Sequence, residues 1–395
     1  MLGNRKLFVD THSGISDYLK PWTDQEFWNL AQMEILSNAV YVVCRQTIVE
    51  HNALIRKLAE SGALVALSVP EEGSETLLVM CLRWNFGDLV QQGRVVLIGG
   101  GDMHPRWTHI QHEFFMPKVY YVEDNWPAFE QMPEIFTRIN KPYKFLFLNG
   151  RQRNHRKYLI ERFRLRGLLD QALWTCLDTG IELLTTLNIG SWFDLDPADY
   201  NHVHIQLMHQ DQNLMSVPSK IRHLPVEYEA DRYQQRVGLP TANTFVKTHL
   251  FNNEWGDAVI NPRCYTDTYF SLVTETVFNY PYSFRTEKIW KPIAMGHPWI
   301  AVANSGFYRD LRNMGFQTFD GIIDESFDCI ERSQDRIERI AQVVEDLCQQ
   351  DLDQFLAQCY NICKYNQQHY FEMVKLYPEK FTNQLYQFLI SHIHE

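Results

Sequence analysis

Short apolar runs rich in β-branched residues, each followed by a stretch of different period, recur along this chain and leave little choice of fold class. Leu7–Asp10 is a short strand running into a polar turn. Ala39–Cys44 (AVYVVC) precedes a helical pattern over Ile48–Ser61 that stops at Gly62. Ala63–Val69 (ALVALSV), bounded by Pro70, and Arg94–Ile98 (RVVLI), ending in Gly99-Gly100-Gly101-Asp102, continue the series. A strand with one wet face alternates apolar and polar residues. These runs are apolar throughout, so both faces are covered, as in a parallel sheet flanked by helices. The expected class is α/β, with two Rossmann-like domains.

A length of 395 residues exceeds one ordinary core and suits two. A new α/β unit starts near Lys141: Tyr143–Leu148 (YKFLFL) reads as a strand, and Asn149-Gly150 turns into a basic helix from about His155 to Leu169. Asp178–Ala258 is polar, rich in His and Asn and without a sustained period, and reads as loops and short strands of the second domain. From Asp267 the pattern sharpens. Tyr269–Thr274 is a strand with Glu275 at its end, a helix opens at Ser283–Lys288 and runs to Ala294 before Gly296, and Pro298–Val302 is the next strand. Ile337–Leu347 and Leu352–His369 have apolar residues at helical spacing. The domains are expected at 1–140 and 141–370, with 371–395 as a C-terminal helix packing toward the first domain.

The net charge of -11 argues against a chain that tracks nucleic acid, which needs a basic face to replace phosphate counterions. One local basic stretch, Asn149–Arg166, is suited to a diphosphate; its plainer reading is a helix with solvated charges. The eight cysteines are scattered and form no CxxC, which fits free thiols in a reducing compartment. The N-terminus lacks the apolar core of a secretory signal and no run reaches the length of a membrane span. A cytoplasmic protein with no transmembrane segment and no nucleic-acid partner is the expectation. The triple glycine lacks the GxGxxG spacing, so a dinucleotide loop is set aside.

A domain that binds a nucleotide diphosphate sugar needs cations or helix N-termini for two phosphates. It also needs a carboxylate that accepts from the ribose diol, and both belong at the carboxyl ends of strands. Tyr269–Leu311 offers these in order: Glu275 after a strand, Glu287 and Lys288 in the first turn of a helix, then a strand leading to Ala303-Asn304-Ser305-Gly306. The plainer reading of Thr286-Glu287-Lys288 is helix capping.

The order of these pieces, YFSLVTETVFNYPYSFRTEKIWKPIAMGHPWIAVANSGFYRDL, resembles the donor-binding region of the α-fucosyltransferases, a family of GT-B glycosyltransferases. There a strand ends in a Phe-Glu-Asn-type turn, followed by Tyr-x-Thr-Glu-Lys, a helix, a small residue and a proline-initiated strand. The resemblance puts Glu275 at the first acidic position, Thr286, Glu287 and Lys288 at the Thr-Glu-Lys core, and Gly296 and Pro298 at the helix stop and strand start. The stretch from Asn149 to Arg156 resembles the family's Ser-Asn…Arg segment, which implies Arg156, then Arg153, for the pyrophosphate. RVVLIGGGDMHP resembles the turn that supplies the family's acidic general base, which implies Asp102; a plain turn residue is its equal rival, and Asp10 and Glu123 stand in reserve. Thr276 occurs where the family has asparagine, and Phe284 where it has tyrosine.

What the resemblance implies is an inverting sugar transfer from a nucleotide diphosphate sugar, a GDP-sugar with GDP-fucose in the class, without metal or other cofactor. The acceptor hydroxyl belongs to a glycan, a lipid-linked sugar or a protein. The fold implied is GT-B, with C-terminal helices crossing back to the first domain. Two rivals stand beside it. One is a metal-dependent GT-A enzyme using Asp194-Leu195-Asp196, although Asp351-Leu352-Asp353 has the same letters at a helix start. The other is a catalytically silent GT-B fold that binds nucleotide or protein. His109, His112 and Glu113 form HxxHE, which is no zinc signature, and His202 and His204 lack a third ligand; no zinc is expected.

Overall fold

The computed structural model describes residues 5–23, 35–71, 73, 77, 81, 86–103, 105, 107–118, 134–149, 153–176, 221–223, 260, 262–280 and 282–393. The protein is α/β, with two sheets of mainly parallel strands. Asp194, Asp196, Glu123, His202 and His204 lie outside the described residues.

The first unit comprises residues 1–117 and 373–395. Its sheet contains β1 (Lys6–Val9), β2 (Ala39–Cys44), β3 (Leu64–Val69), β4 (Val95–Gly99) and β5 (His109–Gln111). All neighbours are parallel and stand in chain order. Right-handed crossovers that always step the same way put their helices on one face. The other face must be covered from elsewhere, because β2, β3 and β4 are buried along their whole length. That cover comes from α1 (Ser16–Leu19) and from the C-terminal residues. Leu7, Val9, Val40, Val42, Leu64, Ala66, Val96 and Ile98 form one cluster with Ile15, Leu19, Phe381, Leu385 and Leu389. The crossover helix α2 (Arg45–Glu60) buries Ile48, Ile55 and Leu58 outside this cluster, and α3 (Gly87–Gln91) packs against β4.

The second unit comprises residues 118–372. Its helices are α4 (Glu134–Thr137), α5 (Asn154–Leu165), α6 (Pro262–Thr266), α7 (Glu287–Met295), α8 (Phe307–Asn313), α9 (Ser333–Leu347) and the first half of α10 (Leu352–Ser391). Its strands are β6 (Tyr143–Asn149), β7 (Ala172–Cys176), β8 (Ile221–His223), β9 (Thr268–Thr274) and β10 (Trp299–Val302), in the order β10-β9-β6-β7-β8. Among the described residues only β7 and β8 pair antiparallel. The chain starts at the central β6, builds outward through β7 and β8, then returns to the other side of β6 with β9 and β10. The order therefore reverses between β6 and β9, and open α/β sheets form a binding crevice at the carboxyl ends of such strands.

The first compact unit ends at residue 117 rather than 140, and Arg138, beyond that boundary, is ion-paired with the buried Asp267 at the start of β9. The predicted helix ending at His369 continues to Ser391 through Pro378. A proline inside a helix removes one hydrogen bond and is tolerated where packing outweighs that loss. Here Tyr377 and Phe381 stack with ring centroids 5.4 Å apart, beside the proline. Among the described residues no helix is long and apolar enough to cross a membrane.

Candidate functional site

β6 and β9, the strands that flank the reversal, end at Asn149 and Thr274, and their side chains meet there: Thr274 Oγ1 donates to Asn149 Oδ1 at 2.7 Å. The next residue, Glu275, is fully buried. Its amide still donates to the carbonyl of Val302 at 3.0 Å, at the level where the sheet gives way to loops. An unpartnered carboxylate here would be costly. Glu275 Oε1 accepts the Thr286 amide (3.1 Å), and Oε2 accepts the Thr286 hydroxyl (2.6 Å) and the Thr276 amide (3.2 Å). Burial still raises this carboxyl above its ordinary range, against the opposing pull of Lys288 and the Thr286 hydroxyl.

Thr286 in turn starts α7, with its hydroxyl accepting the Lys288 amide. Gly296 ends the helix at φ 63°, a left-handed position that suits glycine. Lys288 Nζ donates to Glu287 Oε1 at 2.6 Å and to Thr286 Oγ1 at 3.2 Å, and lies 3.5 Å from Thr276 Oγ1. Burial works against the charge on Glu287, but Lys288 and Lys291 outweigh it and hold this carboxyl below its ordinary range. Two neighbouring carboxylates are thus displaced in opposite directions, and a partly exposed ammonium sits beside them.

The cations come from α5. This helix begins after Arg153, with no side-chain cap and no acidic residue in its first turn. Arg156 is buried, and its Nη2 donates to the carbonyls of Thr274 (2.9 Å) and Glu275 (3.4 Å). His155 Nε2 lies 3.0 Å from the carbonyl of Glu275. A carbonyl only accepts, so Nε2 carries the proton. Burial, with Arg156 and Arg153 close by, pushes His155 well below its ordinary range, and the ring stays neutral. Arg153 itself is half-buried.

The sequence reading missed three residues that hold this end of the sheet. Phe278, in the loop after β9, stacks on His155 with centroids 5.1 Å apart and an angle of 19°. The Arg336 guanidinium lies 4.5 Å from the Phe278 centroid. Arg336 is buried and donates to the carbonyls of Ala303 (3.1 Å), Ile330 (2.7 Å), Glu331 (2.9 Å) and Phe278 (2.5 Å), so one side chain ties the loops after β9 and β10 together. Its one sequence signal is an arginine within the apolar stripe of α9, one turn before Ile340 and two before Val344. The small-residue turn before α8 holds an internal anion: Asp328 Oδ1 and Oδ2 accept the amides of Tyr308 (3.0 Å) and Arg309 (3.1 Å).

Arg156, Glu275, Thr286, Glu287 and Lys288 thus belong to one bonded network, and Arg153 starts the helix that carries Arg156. Asp102 lies in the first unit, in the turn after β4, where its Oδ1 accepts the Met103 amide (2.9 Å) and lies 2.8 Å from His109 Nε2. Asp10 is committed to its own surroundings: it accepts from the Thr47 hydroxyl (2.6 Å), the His12 amide (2.9 Å) and the Cys44 amide (3.4 Å) at the start of α2. The HxxHE residues part company. His109 faces Asp102, His112 is buried among Tyr18, Phe114, Tyr377 and Phe381, and Glu113 accepts from Gln111. Among the described residues no three His, Cys, Asp or Glu side chains gather as metal ligands would.

The chain matches no protein-family model, no curated protein and no solved structure. The likeness to the α-fucosyltransferases rests on the motifs quoted above.

Proposed function

We propose that the chain is a glycosyltransferase of the GT-B type. In this reading it moves a sugar from a nucleotide diphosphate sugar, of the GDP-sugar class, to an acceptor hydroxyl with inversion. The observation that carries the reading is the convergence of Arg156, Glu275, Thr286, Glu287 and Lys288 at the carboxyl ends of β6 and β9, beside the reversal in strand order.

Lys288 and the first turns of α5 and α7 supply the positive potential for two phosphates, with Arg153 and Arg156 behind them. Glu287 accepts from a hydroxyl of the donor, and Glu275 fixes the loop that presents Thr286 and Lys288. In the transfer the acceptor oxygen bonds to the anomeric carbon from one side while the bond to the phosphate oxygen breaks on the other. The leaving diphosphate gains negative charge as that happens. Cations held in advance by the fold stabilise it more than they stabilise the ground state. Asp102 takes the acceptor's proton, and the products are a glycoside and a nucleoside diphosphate.

The test is a thermal-shift panel of GDP, UDP and dTDP followed by donor consumption. A ligand that binds only the folded state at about a hundredfold its Kd adds about 2.7 kcal/mol of stability. GDP is expected to raise Tm, Lys288→Ala to abolish the rise, and GDP-fucose to be hydrolysed slowly without acceptor. No shift with any nucleoside diphosphate would sink the reading. A shift with no consumption of any donor would leave the silent, nucleotide-binding alternative in its place.

A further inference from the structure

We propose that His109 is a positioning residue for the Asp102 carboxylate, which makes the turn after β4 a prepared proton acceptor rather than a simple connection. This inference rests on the reading of Asp102 as the base and names the residue through which it acts.

Gly99-Gly100-Gly101 carries the chain off β4, and the short strand β5 returns beside it with His109 paired to Leu97. The imidazole is mostly covered, its side chain 13% exposed, whereas the Asp102 side chain is 59% exposed. Both ring nitrogens face oxygens: Nδ1 lies 2.9 Å from the carbonyl of Trp107, and Nε2 lies 2.8 Å from Asp102 Oδ1. A carboxylate oxygen only accepts, so Nε2 is the donor in the contact with Asp102. The Met103 amide lies between the two side chains, 2.9 Å from Asp102 Oδ1 and 3.2 Å from His109 Nε2.

A carboxylate that merely closes a turn is satisfied by a backbone amide, as Asp102 is by Met103. The second donor, a covered imidazole carried on β5, adds nothing a turn requires. It does fix the carboxylate in direction. Two donors on one oxygen set the orientation of the group, and the exposed carboxylate accepts a proton from an acceptor hydroxyl without first losing rotational freedom. In that step the hydroxyl O–H bond breaks as the oxygen bonds to the anomeric carbon; the proton passes to Asp102, and the electron pair of the breaking glycosidic bond leaves with the diphosphate.

The experiment uses the full chain and GDP-fucose. Removing the donor with His109→Leu is expected to lower kcat for hydrolysis about 100-fold while KM for GDP-fucose stays put, as misplacement of a reacting group does. His109→Gln, whose amide nitrogen still reaches toward Asp102, is expected to recover most of that loss. Asp102→Asn reports on the underlying reading: unchanged turnover in it removes Asp102 as the base. A large loss in Asp102→Asn with normal kcat in His109→Leu overturns the His109 inference alone. A readout without turnover is the Nε2 proton of His109 in proton–nitrogen spectra. It is expected as a slowly exchanging resonance in the native protein and to vanish in Asp102→Asn; its absence from the native spectrum overturns the proposal, whatever the activity.

Discussion

Glu275 and Thr286 stand 11 residues apart in the chain, yet both carboxylate oxygens of the first are engaged by the second, one by its amide and one by its hydroxyl. The same threonine caps α7. One buried carboxylate therefore closes the loop after β9 and fixes where the helix with Glu287 and Lys288 begins. Order in the ammonium group of Lys288 descends from a group that reaches no solvent.

Glu275→Gln tests that clamp. A glutamine has one accepting oxygen in place of two and adds two N–H groups that find the Thr286 amide pointing at them. Leaving a buried donor without an acceptor costs about 1–3 kcal/mol. Urea unfolding is expected to show a loss of that size, with no change in the slope of the transition. A loss within experimental error would mean the loop is held elsewhere.

The two carboxylates of the site should respond to pH with opposite sign. Glu275 is raised from its ordinary 4.5 by burial. The stability tied to it is fully present below 4.5 and is lost as pH rises through the higher folded value. Glu287 is lowered from 4.5 because Lys288 and Lys291 outweigh the burial that opposes its charge; its contribution is present above 4.5 and lost as pH falls through the folded value. Unfolding followed from about pH 3 to about pH 7 is expected to lose its decline above 4.5 in Glu275→Gln and to flatten below 4.5 in Glu287→Gln. The same pH response in both variants would contradict the assignment.

Much of this was legible locally. Ala39–Cys44 forms a strand with the ends its β-branched run sets, and Thr286 and Gly296 cap α7 as their residue types require. The candidate site residues Thr286, Glu287 and Lys288 stand together in the sequence because they are contiguous. β5 could not be read: three half-buried residues are too few for a period, and they pair only because β4 lies beside them. His155, Phe278 and Arg336 come from three distant stretches and interact through ring faces and backbone carbonyls, which no sequence pattern records. His109 stood in an HxxHE run that matches no zinc signature, and its partner Asp102 lies 7 residues earlier.

Arg336→Lys tests the hub behind the site. Arginine reaches four carbonyls and covers the Phe278 ring in one planar group. An ammonium has three donors on a point and no plane. At least one buried carbonyl loses a charged partner, a change worth about 1.5–3 kcal/mol. The variant is expected to lose that stability, and with it any Tm rise from GDP, whereas Arg339→Lys on the exposed side of α9 is expected to lose about 0.5 kcal/mol or less. Equal behaviour of the two would show that Arg336 organises nothing beyond its own helix.

A sheet whose strands follow chain order needs a cover that its own crossovers do not provide, and in the first unit that cover is α1 together with the end of α10. Leu385 is fully buried in the cluster with Leu7, Val40 and Val96, although it lies near the other end of the sequence. Leu385→Ala removes buried methyl groups and leaves a cavity against the sheet, at a cost of about 2–5 kcal/mol. Leu376, on the same helix, is 60% exposed, and Leu376→Ala is expected to change stability by no more than about 0.5 kcal/mol. Helix propensity is alike in the two variants, so their difference isolates burial. Hydrogen exchange should place the damage of Leu385→Ala in β1 to β4, because local opening follows the contacts that are lost. Equal stability of the two variants would mean that the C-terminal helix does not cover this face, and that the all-parallel order must be sheltered by something else.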